Sequence, residues 1–244
     1  MTVTDKQIIT PHYIRIYLTG QPDTIANIAT MTVGANNKIL IPTDKTQPLD
    51  IDDAENLTKR TYTHRSVDVE KQHIWIDFVT HGDEAPASNW VSHAQVGDEL
   101  AVLMAPKNKP LYPTADHFLL VGDATAIPVL GAILEILPDT ATGQCIIEVH
   151  NKEDEQDLPT SANIKMTWLH NPDPMQGSQL ANQVKSLTLP TIEQSRFAFV
   201  AGEFSSVKAI RHYLKKSSTG QKMSYTPFLT GNQALLKTSL LKTD

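Results

Sequence analysis

The sequence predicts two domains of different class: an N-terminal antiparallel β-barrel over residues 1–111, then an α/β domain with a parallel sheet over residues 112–244. Three observations predict this. Through residue 105 the chain reads as short β segments separated by turn residues. After Pro113, compact apolar runs alternate with segments of helical spacing. Between the two patterns the composition shifts, with Pro110 and Pro113 as punctuation.

In the first half, residues 13–19 alternate Tyr13, Arg15 and Tyr17 with Ile14, Ile16 and Leu18, the period of a half-buried strand. Further strands are expected at 38–41, 60–65, 73–81 (Ile74, Ile76 and Phe78 on one face) and 99–104. Several short strands of this kind suggest a closed antiparallel barrel. Residues 87–94 read as a short helix that Ser88 can cap. In the second half, strands are expected at 117–121, 145–149, 165–169 and 196–200. Helical spacing recurs in Ile127, Leu130, Ile133, Leu134 and Leu137, then over 179–187 and 206–215. The acidic run Glu153, Asp154, Glu155 and Asp157 reads as a solvated loop.

Composition narrows the function. With 40% hydrophobic and 20% charged residues, 244 residues suffice for folded domains with sizeable cores. A net charge of -6 argues against nucleic acid or an anionic membrane as partner, unless cations gather locally. The single cysteine, Cys145, excludes an internal disulfide framework or a cysteine-bound cluster within one chain, and is expected to pack as a small apolar side chain. No apolar leader over residues 1–10 and no window of about 18 apolar residues is present, so a cytoplasmic protein without membrane insertion is expected. His-Glu-x-x-His, Gly-x-Ser-x-Gly and Gly-x-x-x-x-Gly-Lys are absent, which removes support for hydrolase and triphosphatase readings. No metal site is expected.

Three segments carry the residue types of a flavin site. Arg60-Thr61-Tyr62-Thr63 places a cation, an aromatic ring and hydroxyls on one strand, with Arg60 and Tyr62 on one face and Thr61 and Thr63 on the other. A flavin needs a planar contact, hydrogen bonds to its polar edge, and cations or amides for its pyrophosphate. The second segment runs from His81 through Pro86-Ala87-Ser88 to Trp90, follows a strand and opens a helix, where amides near Ala87 and Ser88 can meet a phosphate. The third, Gly122-Asp123-Ala124-Thr125-Ala126-Ile127-Pro128, lies at the carboxyl end of a strand, where open α/β sheets bind ligands. It lacks Gly-x-Gly-x-x-Gly. Each segment alone also fits a plain structural role: a barrel strand, a capped helix anchored by Trp90, a strand–helix turn.

In this order, and together with Gly97-Asp98, Ala201-Gly202-Glu203 and Arg211, the segments resemble the siderophore-interacting protein family of FAD-dependent ferric-siderophore reductases. The resemblance spans nearly the whole chain. It implies a ferredoxin-reductase-like architecture, with an FAD-binding barrel first, a nicotinamide-binding-like domain second and the flavin at their interface. It implies that Arg60, Tyr62 and Thr63, with Thr61 in the same segment, hold the flavin, and that Ala87 and Ser88 hold its pyrophosphate. Thr80, His81 and Trp90 complete that stretch. Asp123, Thr125 and Ala126 would face the flavin from the second domain, although family members commonly carry glutamate where this chain has Ala124. Lys38 matches a family lysine that attracts the anionic ferric siderophore, and Lys45 is a second candidate; Lys107 and Lys109 form a further local pair.

The implied activity is reduction of a ferric siderophore to release Fe(II), with NADH or NADPH as donor, or a ferredoxin in its place. The chain departs from the family near its end, where Thr226-Pro227-Phe228-Leu229-Thr230-Gly231 replaces the usual Gly-Tyr-Trp-Arg-x-Gly. A helix over residues 234–241 is expected after it. Two other readings stay open from sequence: a general flavin reductase or diaphorase, and a non-enzymatic siderophore-binding module.

Overall fold

Alternation of buried and partly exposed side chains dictates the first sheet of the computed structural model, which describes residues 1–44, 49–80, 82, 84–105, 109–189, 195–217 and 223–229, with 217 and 223–229 by backbone alone. In β2 (Tyr13–Thr19), Ile14, Ile16 and Leu18 are buried while Arg15 and Tyr17 are half-buried. The alternation holds over the first half of β3 (Asn36–Pro42) and β5 (His73–Val79) and is lost in β4 (Leu57–Asp68), where three consecutive residues, Thr63 to Arg65, are buried; β1 (Thr2–Thr10) and β6 (Ala101–Leu103) flank them. These six strands form one sheet in the order β1-β2-β5-β4-β3-β6, antiparallel throughout.

The sheet's two ends meet. Val3 N–H donates to Asp98 O at 2.8 Å, Gly97 N–H to Val3 O at 2.9 Å and Leu100 N–H to Met1 O at 2.8 Å, which closes the sheet into the expected barrel. Its core gathers Ile16, Leu18, Ile39, Ile74, Ile76 and Phe78, with Trp90 from α2 (Pro86–Ser92). A buried polar group is built into the wall. Asp77 accepts from Arg15 Nε at 2.7 Å, Arg15 Nη2 at 2.9 Å and Tyr13 Oη at 3.0 Å, so its charge is paired and fully hydrogen-bonded.

Two elements of this first unit escaped the sequence reading. In β1 the alternation is poor, since Ile8 is 68% exposed. In α1 (Pro22–Ala29) only Ile25 and Ile28 are buried, so the apolar stripe is a single i, i+3 pair. Ser88 does not cap α2: the helix begins at Pro86 with Ala85 at its cap position, and Ser88 lies buried inside it.

The second unit, Tyr112–Asp244, is distinct from the first, Met1–Leu111. Its sheet, in the order β11-β10-β7-β8-β9, comprises β7 (His117–Asp123), β8 (Thr142–Val149), β9 (Asn163–His170), β10 (Arg196–Gly202) and β11 (Met223–Leu229). All neighbours run parallel. The chain starts in the middle at β7, moves outward through β8 and β9, then returns to the other side with β10. A topological switch point therefore falls between β7 and β10. Buried Leu119, Val121, Ala198 and Val200 pack against α4 (Leu180–Lys185) and α5 (Phe204–Ser217), while α3 (Ile127–Ile136), almost wholly buried, follows β7. β11 was not anticipated, because Pro227 within it argues against a strand; among the described residues it is an edge strand, where proline is tolerated. The expected helix over 234–241 lies outside the described residues.

Candidate functional site

Pairing register decides which residues of β4 share a face. Lys38 lies opposite Thr61, Asn36 opposite Thr63 and Leu40 opposite Lys59 on one face of the β3–β4 ladder; Ile39 lies opposite Arg60 and Asn37 opposite Tyr62 on the other. Ile39 is fully buried, so the Arg60–Tyr62 face is the inner one and the Lys38–Thr61 face the outer one.

On the inner face, the Tyr62 ring packs on Phe78 with centroids 4.4 Å apart, and Phe78 packs in turn on Trp90 at 5.8 Å. Tyr62 remains half-buried. Burial pushes its phenol above the usual range, with Arg60 pulling the other way. Arg60 is also half-buried, and Nη1 donates to the Lys59 carbonyl at 3.0 Å. Among the described residues it forms no ion pair.

Beyond this pair Thr63, His64 and Arg65 are buried, and the register slips at Arg65, a bulge that re-aims the strand. Thr80 is buried, its N–H donating to His12 O at 2.9 Å. Ala87 and Ser88 are buried in the first turn of α2, where amides lack intrahelical acceptors. Trp90, 2% exposed, is a core anchor.

On the outer face Lys38 Nζ donates to Thr61 Oγ1, so the expected substrate lysine and the expected flavin segment touch. Lys59 is exposed next to them, and Leu103 of β6 lies opposite Lys38 on its other side. Sequence spacing does not reveal either neighbour, because it does not contain the strand register. Lys45, His81 and Lys107 lie outside the described residues.

In the second unit the Asp123, Thr125 and Ala126 cluster stands at the carboxyl edge of β7. Asp123 accepts from Thr125 N–H at 3.0 Å, from the Thr125 hydroxyl and, across the switch point, from Glu203 N–H at 3.1 Å. Burial pushes the Asp123 carboxyl up, while these hydrogen bonds pull it down. Glycines permit the close approach: a Cβ on Gly202 (φ +148°) would meet Asp123 Oδ2 at 2.8 Å, and one on Gly122 would meet Ala126 Cβ at 2.4 Å. Ala126 is fully buried and packs beneath this edge.

Burial works against charge at Glu203, but hydrogen bonds from Ser205 and neighbouring amides outweigh it and hold its carboxyl low. Laterally, Asp123 is the register partner of Glu148. Glu148 accepts from Gln179 N–H at 2.7 Å and Asn171 Nδ2 at 3.1 Å. The acidic run is less solvated than expected, with Asp154 buried and Glu155 bound to His170 at 2.8 Å. Cys145 is buried, its thiol pushed up to about 12 by burial. Among the described residues no cluster suited to a metal ion occurs, and no helix is long and apolar enough to cross a membrane.

Residues 2–109 match the siderophore-interacting FAD-binding domain, and residues 115–228 match the siderophore-interacting protein family. The ferric vibriobactin reductase ViuB of Vibrio cholerae is 30% identical over 229 residues, covering 86% of this chain and 80% of its own. A siderophore utilization protein from T. fusca superposes with a TM-score of 0.78 at 28% identity, over 95% of this chain and 92% of the other. At 14% identity, a ferredoxin NADP+ reductase from Neisseria gonorrhoeae shares the fold, with a TM-score of 0.63 over 94% and 97% of the two chains. The chain is a member of the siderophore-interacting protein family.

Proposed function

We propose that this protein is an FAD-dependent reductase that passes electrons from a nicotinamide donor to the iron of a ferric siderophore. The observation that carries the reading is the two-faced strand β4, which offers Arg60 and Tyr62 on one side and meets Lys38 on the other. The residues present fit FAD. A half-buried aromatic ring beside a half-buried arginine with no acidic partner among the described residues matches a planar ring linked to phosphates. Arg60 and Tyr62 would hold the flavin, and Thr63, which register puts on the other face, is assigned to it from the family pattern alone, with the first turn of α2 at Ala87 and Ser88 toward its pyrophosphate.

FAD, when bound, supplies acceptance of a hydride as two electrons and their release one at a time. The rest falls to the chain. Siderophores hold Fe(III) with hard oxygen ligands that match Fe(II) poorly, so one-electron reduction loosens the metal and no protein acid, base or nucleophile is required. Lys38 contributes local positive charge on a protein of net charge -6, which an anionic chelate needs in order to approach. Lys45, seven residues on, is a second candidate for the same role. In the second unit, Asp123, Thr125 and Ala126 at the switch-point edge are assigned to the flavin from the family pattern, at a place where open α/β sheets take ligands.

The test is anaerobic mixing of the FAD-loaded protein with NADH or NADPH, followed by a ferric siderophore and an Fe(II)-specific dye. Bleaching of the flavin bands by a donor, then their return with dye colour, is the expected result. Dye colour no faster than with free FAD and donor would remove the reading.

A further inference from the structure

Thr61 belongs by sequence to the flavin segment, yet register turns it away from Arg60 and Tyr62. Its Oγ1 accepts from Lys38 Nζ across the ladder. A lysine ammonium on a free stem samples many rotamers, and ordering it on binding carries an entropic cost. A hydroxyl on a β-branched side chain with a stiff χ1 is a fixed point to which that ammonium can be tied.

On this outer face Leu40 and Thr63 are buried and Asn36 is half-buried, while Lys59 and Leu103 are its exposed members beside Lys38. Lys59 lies two positions from Thr61 and opposite Leu40, diagonal to Lys38, a spacing of about 7–8 Å. It is exposed, and among the described residues neither lysine forms an ion pair. Leu103, on the far side of Lys38, leaves 45% of its surface in water. The strip therefore presents two cations with no ion-pair partner among the described residues, and an apolar side chain, on a three-stranded ladder of a protein of net charge -6.

We infer that Thr61 is a positioning residue on the substrate side, that Lys59 is the second cation of the seat, and that the strip docks a polyanionic ferric chelate through Lys38, Lys59 and Leu103. The segment 60–63 then serves two ligands from its two faces. This rests on the proposed reductase activity.

The test uses the FAD-loaded holoenzyme, anaerobic, with two probes: a trianionic ferric tris-catecholate and a neutral ferric trihydroxamate. Thr61→Val is expected to raise KM for the trianion about two- to fivefold relative to KM for the neutral chelate, with kcat moving less than KM, and Thr61→Ser to restore the ratio. Lys59→Gln is expected to shift the ratio in the same direction and by a similar factor.

An unchanged ratio in both Thr61→Val and Lys59→Gln overturns the seat. Loss of bound FAD in Thr61→Val comparable to that in Arg60→Ala, at normal folding by circular dichroism, returns Thr61 to the cofactor side and overturns its positioning role. Should Thr61→Val fold poorly, Lys59→Gln on the exposed surface still decides the seat and Thr61→Ser the positioning. Wild-type protein that reduces neither probe faster than free FAD would instead sink the reductase reading itself.

Discussion

His64 sits one position beyond the proposed flavin segment, 1% exposed, and burial pushes its imidazole down to about 4 despite a backbone hydrogen bond at Ala35 that favours the charged form. The folded value is therefore depressed below the unfolded value of 6.5. Stability from this residue is complete above pH 6.5 and is lost as pH falls toward 4, because the unfolded chain takes up a proton that the folded barrel resists. A shift of this size corresponds to about 2–3 kcal/mol lost between pH 7 and pH 4.5. Urea unfolding of the wild type is expected to show that loss, and His64→Gln to show a shallower slope over the same interval. Parallel slopes would mean that His64 is not the titrating group. At this scale the sequence discloses residue types and not partners. Arg60, Tyr62 and Lys38 stand out by chemistry, but the Lys38–Thr61 hydrogen bond depends on register. Likewise Asp154 reads as one more charge in an acidic run until packing buries it.

Elements were legible wherever burial is one-sided and periodic. Ile74, Ile76 and Phe78 in β5, and the buried run through β7, announce themselves, and α3 follows from its apolar spacing. What stayed hidden depends on tertiary context: β1 is fixed by barrel closure through Met1 and Val3, and β11 by pairing along β10. The β7–α3 junction shows how tightly one element constrains the next. A Cβ on Gly122 would stand 2.4 Å from Ala126 Cβ and 3.0 Å from the Ala201 carbonyl oxygen, and neither β10 nor the helical turn can withdraw cheaply. Gly122→Ala is expected to destabilise the second unit by about 1–3 kcal/mol, the usual cost of overpacking. Because the closest atom is Ala126 Cβ, Ala126→Gly added to Gly122→Ala should recover part of that loss. A double-mutant cycle by thermal unfolding measures the coupling, and purely additive effects would show that the clash is relieved by backbone movement elsewhere.

Across the whole molecule two fields of opposite sign act on an anionic chelate. The net charge of -6 repels it, spread over distances of about 20 Å or more, whereas Lys38 and Lys59 attract it from contact range. Salt separates the two. The Debye length falls from about 30 Å at 0.01 M to about 8 Å at 0.15 M, so added salt removes most of the distant repulsion and little of the contact attraction. For a trianion facing two lysines, the modest loss of attraction and the loss of repulsion are each on the order of 1 kcal/mol and nearly cancel. The wild-type kcat/KM for a trianionic chelate should therefore stay level within about twofold over that range of ionic strength. Lys38→Gln halves the contact attraction and leaves the repulsion intact, so its kcat/KM should start lower and rise about two- to fourfold as salt is added. A neutral chelate, which neither field steers, should show little salt dependence with either protein. Stopped-flow measurement of Fe(II) formation at several ionic strengths distinguishes these slopes. A wild-type rate that climbs with salt as steeply as that of Lys38→Gln would mean that the acidic surface governs approach and that the lysine strip does not offset it.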